Sequence, residues 1–418
     1  MPYLDVRVMR FPSVRKKFYL PTNAWVLALS AAIWSIGGSA VNPYQTMYFF
    51  AVGADSLFIG LILAMGSAIT ALMQLVGGYV ADAWGRRKVI TIFSFISAGT
   101  AFVYIFVDQY QLLLIPIILA SIAGVYGPAF NATLTDSMQP ELRARGIASF
   151  TLVTSLPSMF CPYFGGLLMH RFGILAGLRI GYFVSGLFGL IGVSVRALSL
   201  KETHLRVRTE EKKGILRFIS DFAADNACIL RHASNEVRKL LIYSILVSVG
   251  TGMTVPYSSL YVVGALGLQP DLYGLITNVT GMISVILLLP AVRIVEKVGL
   301  RKTVIYASLS VPVNQLIFVR AKGMDDLVAW GVVGSASNAL LGPSLTALQA
   351  NLSTRETRGR IMAMFSMFSL IVAIPSQIFG GYLYSTFGPH SPFLASIPAF
   401  ALATLALTKI REAVISDA

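Results

Sequence analysis

The sequence predicts an all-α polytopic membrane protein of twelve transmembrane helices, arranged as two parallel six-helix halves. Three observations predict it. Of the 418 residues, 56% are hydrophobic and only 12% charged, with mean hydropathy +0.72. A soluble domain carries about 25% charged residues, so this chain lacks the charge to cover a water-facing surface. Apolar runs of spanning length alternate with charged or Pro/Gly breaks along the whole chain. The chain also repeats itself, landmark by landmark, at a displacement of 213–215 residues. Twelve spans of about 20 residues each leave only short loops, which excludes a soluble enzyme and a receptor with a large ectodomain.

The N-terminal tail, 1–22, carries Arg7, Arg10, Arg15, Lys16 and Lys17. The apolar stretch that follows is longer than the roughly 7–15-residue core of a signal peptide and reads as a retained first helix. The twelve segments are 23–50, 56–81, 89–107, 111–137, 147–170 and 174–198, then 239–266, 271–295, 303–320, 327–351, 361–385 and 390–409. They divide into a first half at 23–198, a linker at 199–238, a second half at 239–409 and a C-terminal tail at 410–418. In the linker, Glu211-Lys212-Lys213 precedes Ile215, Phe218, Ile219 and Phe222 at helical spacing, the pattern of a basic amphipathic helix lying on a membrane surface. Cys161 in an apolar run and Cys228 in the linker offer no disulfide framework or metal cluster, and no cofactor is expected.

Charge sets the expected topology. All but four of the 33 Lys and Arg residues fall in the tails, the linker and the loops on the same side, among them Arg196, counted with the linker; the exceptions are Arg171, Arg179, Arg320 and Lys322. The positive-inside rule then places both termini and the linker in the cytoplasm of a cell in whose plasma membrane the protein sits. The net charge of +14 is a topology signal and implies no nucleic-acid partner.

In the internal repeat, Pro43-Tyr44 and Tyr48 align with Pro256-Tyr257 and Tyr261, and Gly60 with Gly274. Gly85, Arg87 and Lys88 align with Gly299, Arg301 and Lys302; Gly165-Gly166 with Gly380-Gly381; Phe172-Gly173 with Phe387-Gly388. Six helices is an even number, so both copies insert with the same orientation. Such halves are related by an axis along the membrane normal, with a site at their interface near the midplane. That is the architecture of a secondary transporter working by alternating access, and no G-x-x-x-x-G-K-[ST] loop for ATP occurs in the chain.

The loop after the second segment reads Gly77-Gly78-Tyr79-Val80-Ala81-Asp82-Ala83-Trp84-Gly85-Arg86-Arg87-Lys88. It resembles motif A of the major facilitator superfamily, with matches at Gly78, Asp82, Gly85, Arg86 and Arg87 and a departure at Ala83, where a basic residue is usual. The resemblance implies the major facilitator fold. It also implies that Asp82 approaches the N-terminus of helix 11, where the helix dipole favours negative charge, that Arg86 pairs with Asp136 near the end of helix 4, and that the cluster latches the cytoplasmic side shut. The alternative is a surface salt bridge worth about 0–1 kcal/mol. Pro162, Gly165 and Gly166 in the fifth segment resemble a motif of the superfamily's drug:proton antiporter branch, although Pro157 and Cys161 replace two of its glycines. The arginine that this branch carries in helix 4 is missing, since Leu119-Ala120-Ser121-Ile122-Ala123 precedes Gly124.

All acidic residues and all four histidines fall in tails, loops or helix ends, so proton coupling would have to use Asp55 or Asp136. Arg179 reads as the one charge inside a segment, either snorkelling outward or forming an extracellular gate. The superfamily's cavity is lined by helices 1, 4, 7 and 10. Its candidate substrate contacts here are Trp34, Asn42, Tyr44, Gln45, Tyr48, Tyr126, Asn131, Thr254, Tyr257, Ser258, Tyr261, Ser337 and Asn338, each with helix packing as its alternative role. Pro43 and Pro256 are expected to kink helices 1 and 7 beside the site.

Uncharged amides, phenols and rings favour efflux of hydrophobic or amphipathic small molecules, driven by a proton or other ion gradient. Uptake of a neutral metabolite such as a sugar or nucleoside is the alternative, and a non-transporting sensor the remote one. The expected partners are a small-molecule substrate, a coupling ion and the lipid bilayer, around a monomer.

Overall fold

In a computed structural model, residues 20–139, 142–202, 233–352 and 358–410 are described. The predicted linker helix, Cys228 and both tails up to residue 19 and beyond residue 410 lie outside them. Every one of the twelve predicted segments is helical. They are α1 (Thr22–Ala51), α2 (Ser56–Trp84), α3 (Arg86–Ile105), α4 (Tyr110–Asp136), α5 (Arg143–Ser155 and Cys161–Phe172, joined by a turn at Pro157–Met159) and α6 (Ile174–Ser199). The second half holds α7 (Asn235–Thr254, continued by Val255–Tyr257 and Leu260–Ala265), α8 (Pro270–Ile286 and Leu288–Val298), α9 (Leu300–Arg320), α10 (Met324–Asn351), α11 (Arg358–Phe387) and α12 (Ser391–Thr408). Among the described residues, nine helices are long and apolar enough to cross a membrane. Of the others, α5 and α8 are broken, and α10 carries Ser335, Ser337, Asn338 and Ser344 along its length.

Proline explains the breaks. It removes an N–H and clashes with the carbonyl four residues back, and the helix tightens into a 3₁₀ turn at Asn42–Tyr44 around Pro43, at Val255–Tyr257 around Pro256, and at Pro157–Met159. The expected kinks in α1 and α7 are therefore present. A π-helical stretch follows in α7 at Leu260–Ala265. The corner from α2 to α3 is made by one residue. Gly85 has φ +93°, a left-handed conformation that a Cβ disfavours, and its repeat partner Gly299 has φ +89° between α8 and α9.

Within the first half, α1 lies along α6, α6 against α3, and α4 against α2 and α3; in the second, α7 lies along α12, and α9 packs on α10 and α12. The halves meet chiefly through α2 against α11 and α5 against α8, two pairs exchanged by the repeat. Residues 20 and 410 share one face of the molecule, here the terminal face: Asn23 of α1 bonds Lys201 after α6, and Lys239 of α7 bonds Lys409 after α12.

The core divides along the same direction. Near the opposite face one buried apolar cluster runs through both halves and includes Tyr44, Ile62, Tyr104, Tyr182, Tyr257, Phe318 and Phe393. Near the terminal face each half has its own cluster, around Leu27, Val89 and Leu134 in one and Leu240, Val304 and Leu348 in the other.

Candidate functional site

Two tyrosines related by the repeat close the opposite face. The Tyr44 hydroxyl lies 2.9 Å from the Pro162 carbonyl oxygen in its own half and 3.0 Å from that of Pro270 in the other, and donates its proton between them. Tyr257 does the same with Gln377 at 2.9 Å in its own half and Ser56 at 3.5 Å across the interface. The acceptors are repeat partners as well: Pro162 aligns with Gln377 and Ser56 with Pro270. Both rings are fully buried. They fit because glycines make room: a Cβ on Gly274 would meet the Tyr44 hydroxyl at 2.5 Å, and one on Gly60 would meet that of Tyr257 at 2.8 Å. The landmarks of the duplication are thus the contacts of this double clasp.

Further bonds join the halves on the same side. Thr46 and Ser259 hydroxyls stand 3.1 Å apart, Ser67 donates to the Gln377 side chain at 3.1 Å, and His170 Nδ1 lies 3.1 Å from Asp271 Oδ1. Asn278 of α8 donates to the Phe160 carbonyl and accepts from Tyr163 N–H, satisfying backbone groups next to the broken turn of α5. These bonds between the halves all lie toward the opposite face. The molecule is shut at the opposite face, where one apolar cluster spans both halves, and the halves part toward the terminal face, where each packs on its own cluster.

Three cavities lie in the parted region. One of about 450 Å³ sits between the halves, lined by Ser39, Asn42 and Pro43 of α1, Ser158 of α5, Thr280 of α8, and Trp330 and Asn338 of α10. A second, of about 220 Å³, shares Asn338 and Trp330 with it and reaches Thr254, Ser258 and Ser337. The third, of about 380 Å³, belongs to the first half and is lined by Trp34, Tyr126, Phe130, Asn131 and Arg196. Ala31, Ser35, Ser39 and Pro43, spaced at four residues on one face of α1, run from the third cavity to the first. No residue lining these cavities carries a carboxylate or an imidazole.

Of the residues predicted to contact substrate, Trp34, Asn42, Tyr126, Asn131, Thr254, Ser258, Ser337 and Asn338 line the cavities. The structure places the others elsewhere. Tyr44 and Tyr257 form the clasp. Tyr48 donates to the Tyr104 carbonyl inside an aromatic cluster with Tyr104 and Tyr182. Gln45 reaches the Tyr104 hydroxyl at 3.4 Å. Tyr261 packs on Phe318 and Phe393 and bonds His390. A polar atom on the right helix did not tell which face of that helix it occupies, nor that backbone carbonyls freed near prolines would claim it.

The expectation that Arg179 is the one charge inside a segment is corrected. Arg196, counted with the linker, lies within α6, is 3% exposed, and donates to the hydroxyls of Ser30 at 2.9 Å and Ser94 at 2.8 Å. A helical side chain leans toward its helix N-terminus, and α6 starts at the opposite face, so this guanidinium runs inward. The apolar residues Ala197, Leu198 and Leu200 beyond it were the available signal. Arg179 itself pairs with Asp108 and the Val107 carbonyl, within the first half.

At the α2–α3 corner, Arg86 pairs with Asp136 of α4, as the motif resemblance implies. Asp82 is exposed and takes no partner among the described residues. The carboxylate found at a helix N-terminus is that of Glu202, which accepts from Arg87 N–H at 3.1 Å, while the Arg87 side chain bonds the Ala197 carbonyl. Gly78 faces open space. The two carboxylates considered for proton coupling are both engaged, Asp136 with Arg86 and Asp55 as the N-cap of α2.

The profile of the Major Facilitator Superfamily matches residues 26–237 and 240–416. The multidrug resistance protein MdtG of Dickeya zeae (strain Ech586) is 24% identical over 389 residues, 90% of each chain, and that of Escherichia coli O9:H4 (strain HS) 22% over the same span. Among solved structures, the fold is similar to the nucleoside transporter NupG (TM-score 0.69, 15% identity, 93% of this chain and 98% of that one). It is also similar to the human organic anion transporter MFSD10 (0.65, 16%, 92% and 99%). With the repeat, the twofold-related clasp and a profile match through both halves, the chain belongs to the Major Facilitator Superfamily and is an integral multi-pass membrane transporter, not an enzyme.

Proposed function

We propose that this transporter exports amphipathic aromatic compounds by alternating access, driven by an ion gradient, with both termini in the cytoplasm. The observation that carries the reading is the parted terminal side with its ring- and amide-lined cavities, set against the shut opposite face. In that orientation the structure is the loading state of an exporter. The relatives' description as multidrug resistance proteins supports the same direction. Trp34, Tyr126, Phe130 and Trp330 offer faces for apolar bodies, while Asn42, Asn131 and Asn338 offer donors and acceptors for polar ends.

Substrate entry would be followed by rocking of the halves: the double clasp opens and the terminal side closes. Asp82 is then the residue free to engage α11, while Arg86–Asp136 keeps the corner in shape. In this reading motif A is a latch, released in the state seen here.

The test is accumulation of a panel of fluorescent aromatic amphiphiles in an efflux-deficient host, with and without the protein and a protonophore. Lower accumulation that the protonophore abolishes is the expected result. Equal accumulation across the panel overturns export and leaves uptake of a neutral metabolite as the next reading to screen.

A further inference from the structure

Arg196 is a cation held between helices, about two turns in from the terminal-side ends of α1 and α3. Ser30 lies eight residues into α1 and Ser94 eight residues into α3, each about 12 Å from its helix start at 1.5 Å per residue. Both hydroxyls point to the guanidinium, so it sits at that depth. They take two of its five N–H donors. The rings of Phe130, Trp34 and Tyr126 surround its carbon at 5.1, 5.5 and 5.9 Å. No carboxylate of the described residues pairs with it. Hydroxyls and ring faces share a positive charge but do not neutralise it, and an ionisable side chain at this depth is expensive to keep and marks function by default.

A brace tying α1, α3 and α6 together could be built from neutral groups, whereas this one carries a charge to the wall of a cavity. That cavity, about 380 Å³, is within the range of small-molecule sites, roughly 300–1,000 Å³. Four aromatic rings, Trp34, Tyr126, Phe130 and Phe150, and the exposed amide of Asn131 share the wall with the guanidinium. A planar apolar body can lie against the rings while its acidic group faces the guanidinium, and an organic cation in the same place meets like charge with no carboxylate to offset it.

We propose that Arg196, with Trp34, Tyr126 and Asn131, is an anion-accepting subsite, and that the transported compounds are aromatic carboxylates or sulfonates rather than organic cations. The proposal names the substrate class of the exporter described above and rests on that reading for direction only; binding at the subsite is independent of it.

Purified full-length protein is titrated with three naphthalene compounds of one skeleton, bearing a sulfonate, a neutral sulfonamide or a trimethylammonium group. Wild type should bind the sulfonate at least tenfold more tightly than the ammonium. Arg196→Gln should lose tenfold or more for the sulfonate and less than twofold for the sulfonamide, and Arg196→Lys should recover part of the loss. Because Arg196→Gln could fail to fold, Asn131→Asp is the second variant: a near-isosteric carboxylate on the same wall should weaken the sulfonate and strengthen the ammonium. Equal losses for all three compounds would show a structural brace and overturn the subsite. So would a wild type that prefers the ammonium or binds none of the series. Sulfonate bound as expected but not taken up into inside-out vesicles would instead defeat the export reading and leave the subsite standing.

Discussion

Gly165 brings α5 so close to α1 that a Cβ there would stand 1.8 Å from the Ala40 carbonyl oxygen. No rotamer change relieves a clash between two backbones, so Gly165→Ala must push the helices apart. Overpacking of this kind costs about 1–3 kcal/mol, and thermal unfolding in detergent should show a clearly lowered midpoint. Gly78→Ala is the control: nothing lies within 4 Å of its Cβ position, and stability should stay within about 0.5 kcal/mol. Equal midpoints for the two variants would contradict the contact. At the same scale, Asp82 is exposed and unpartnered in the state described. Asp82→Asn should therefore leave stability unchanged while transport slows about tenfold, a barrier increase near 1.4 kcal/mol. A well-expressed variant working at the wild-type rate would sink the latch.

At the scale of elements, Pro43 and Pro256 shape α1 and α7. Each tightens its helix into a 3₁₀ turn that ends on a clasp tyrosine, which frees backbone groups and re-aims the residues beyond. Restoring a regular helix with Pro256→Ala should rotate Tyr257 away from Gln377 and Ser56. The expected result is substrate binding within about twofold of wild type, by the 1.4 kcal/mol-per-decade relation well under 1 kcal/mol, with transport reduced several-fold. Transport that keeps its wild-type rate would mean the turn has no part in the cycle. In α5 the corresponding break at Pro157–Met159 is bridged from the other half by Asn278, so the two halves grip each other where one helix is weakest.

For the whole molecule, the balance between the two faces rests on a few bonds. The apolar cluster and the clasp hold the opposite side, and the terminal side is held by contacts within each half. Each tyrosine hydroxyl contributes about 1 kcal/mol of net hydrogen bonding. The double variant Tyr44→Phe with Tyr257→Phe should destabilise the closed state by about 2 kcal/mol, cutting the closed-to-open ratio roughly thirtyfold. A cysteine at Ser259, itself buried against Thr46, reports this. With Cys161 and Cys228 replaced by Ala, its alkylation by an impermeant maleimide should rise many-fold in the double variant. Unchanged labelling would mean that the clasp bonds do not set the equilibrium.

Composition, apolar run length and the repeat were enough to determine twelve helical segments in two related copies, because in a bilayer the backbone must satisfy its own hydrogen bonds and helices are the local solution. The kinks at Pro43 and Pro256 and the Arg86–Asp136 pair were legible for the same reason, since a proline ring or a motif spacing acts over a few residues. What only the tertiary structure decided was which polar side chains meet a cavity and which meet another helix. Tyr44 and Trp34 are both ring residues on α1, yet one donates across the interface and the other faces a pocket, and helix rotation against its neighbours makes that choice. Arg196 shows the limit most plainly. Near a helix end its charge reads as a surface anchor, and only the direction of α6, with Ser30, Ser94 and three rings waiting beneath, turns it inward.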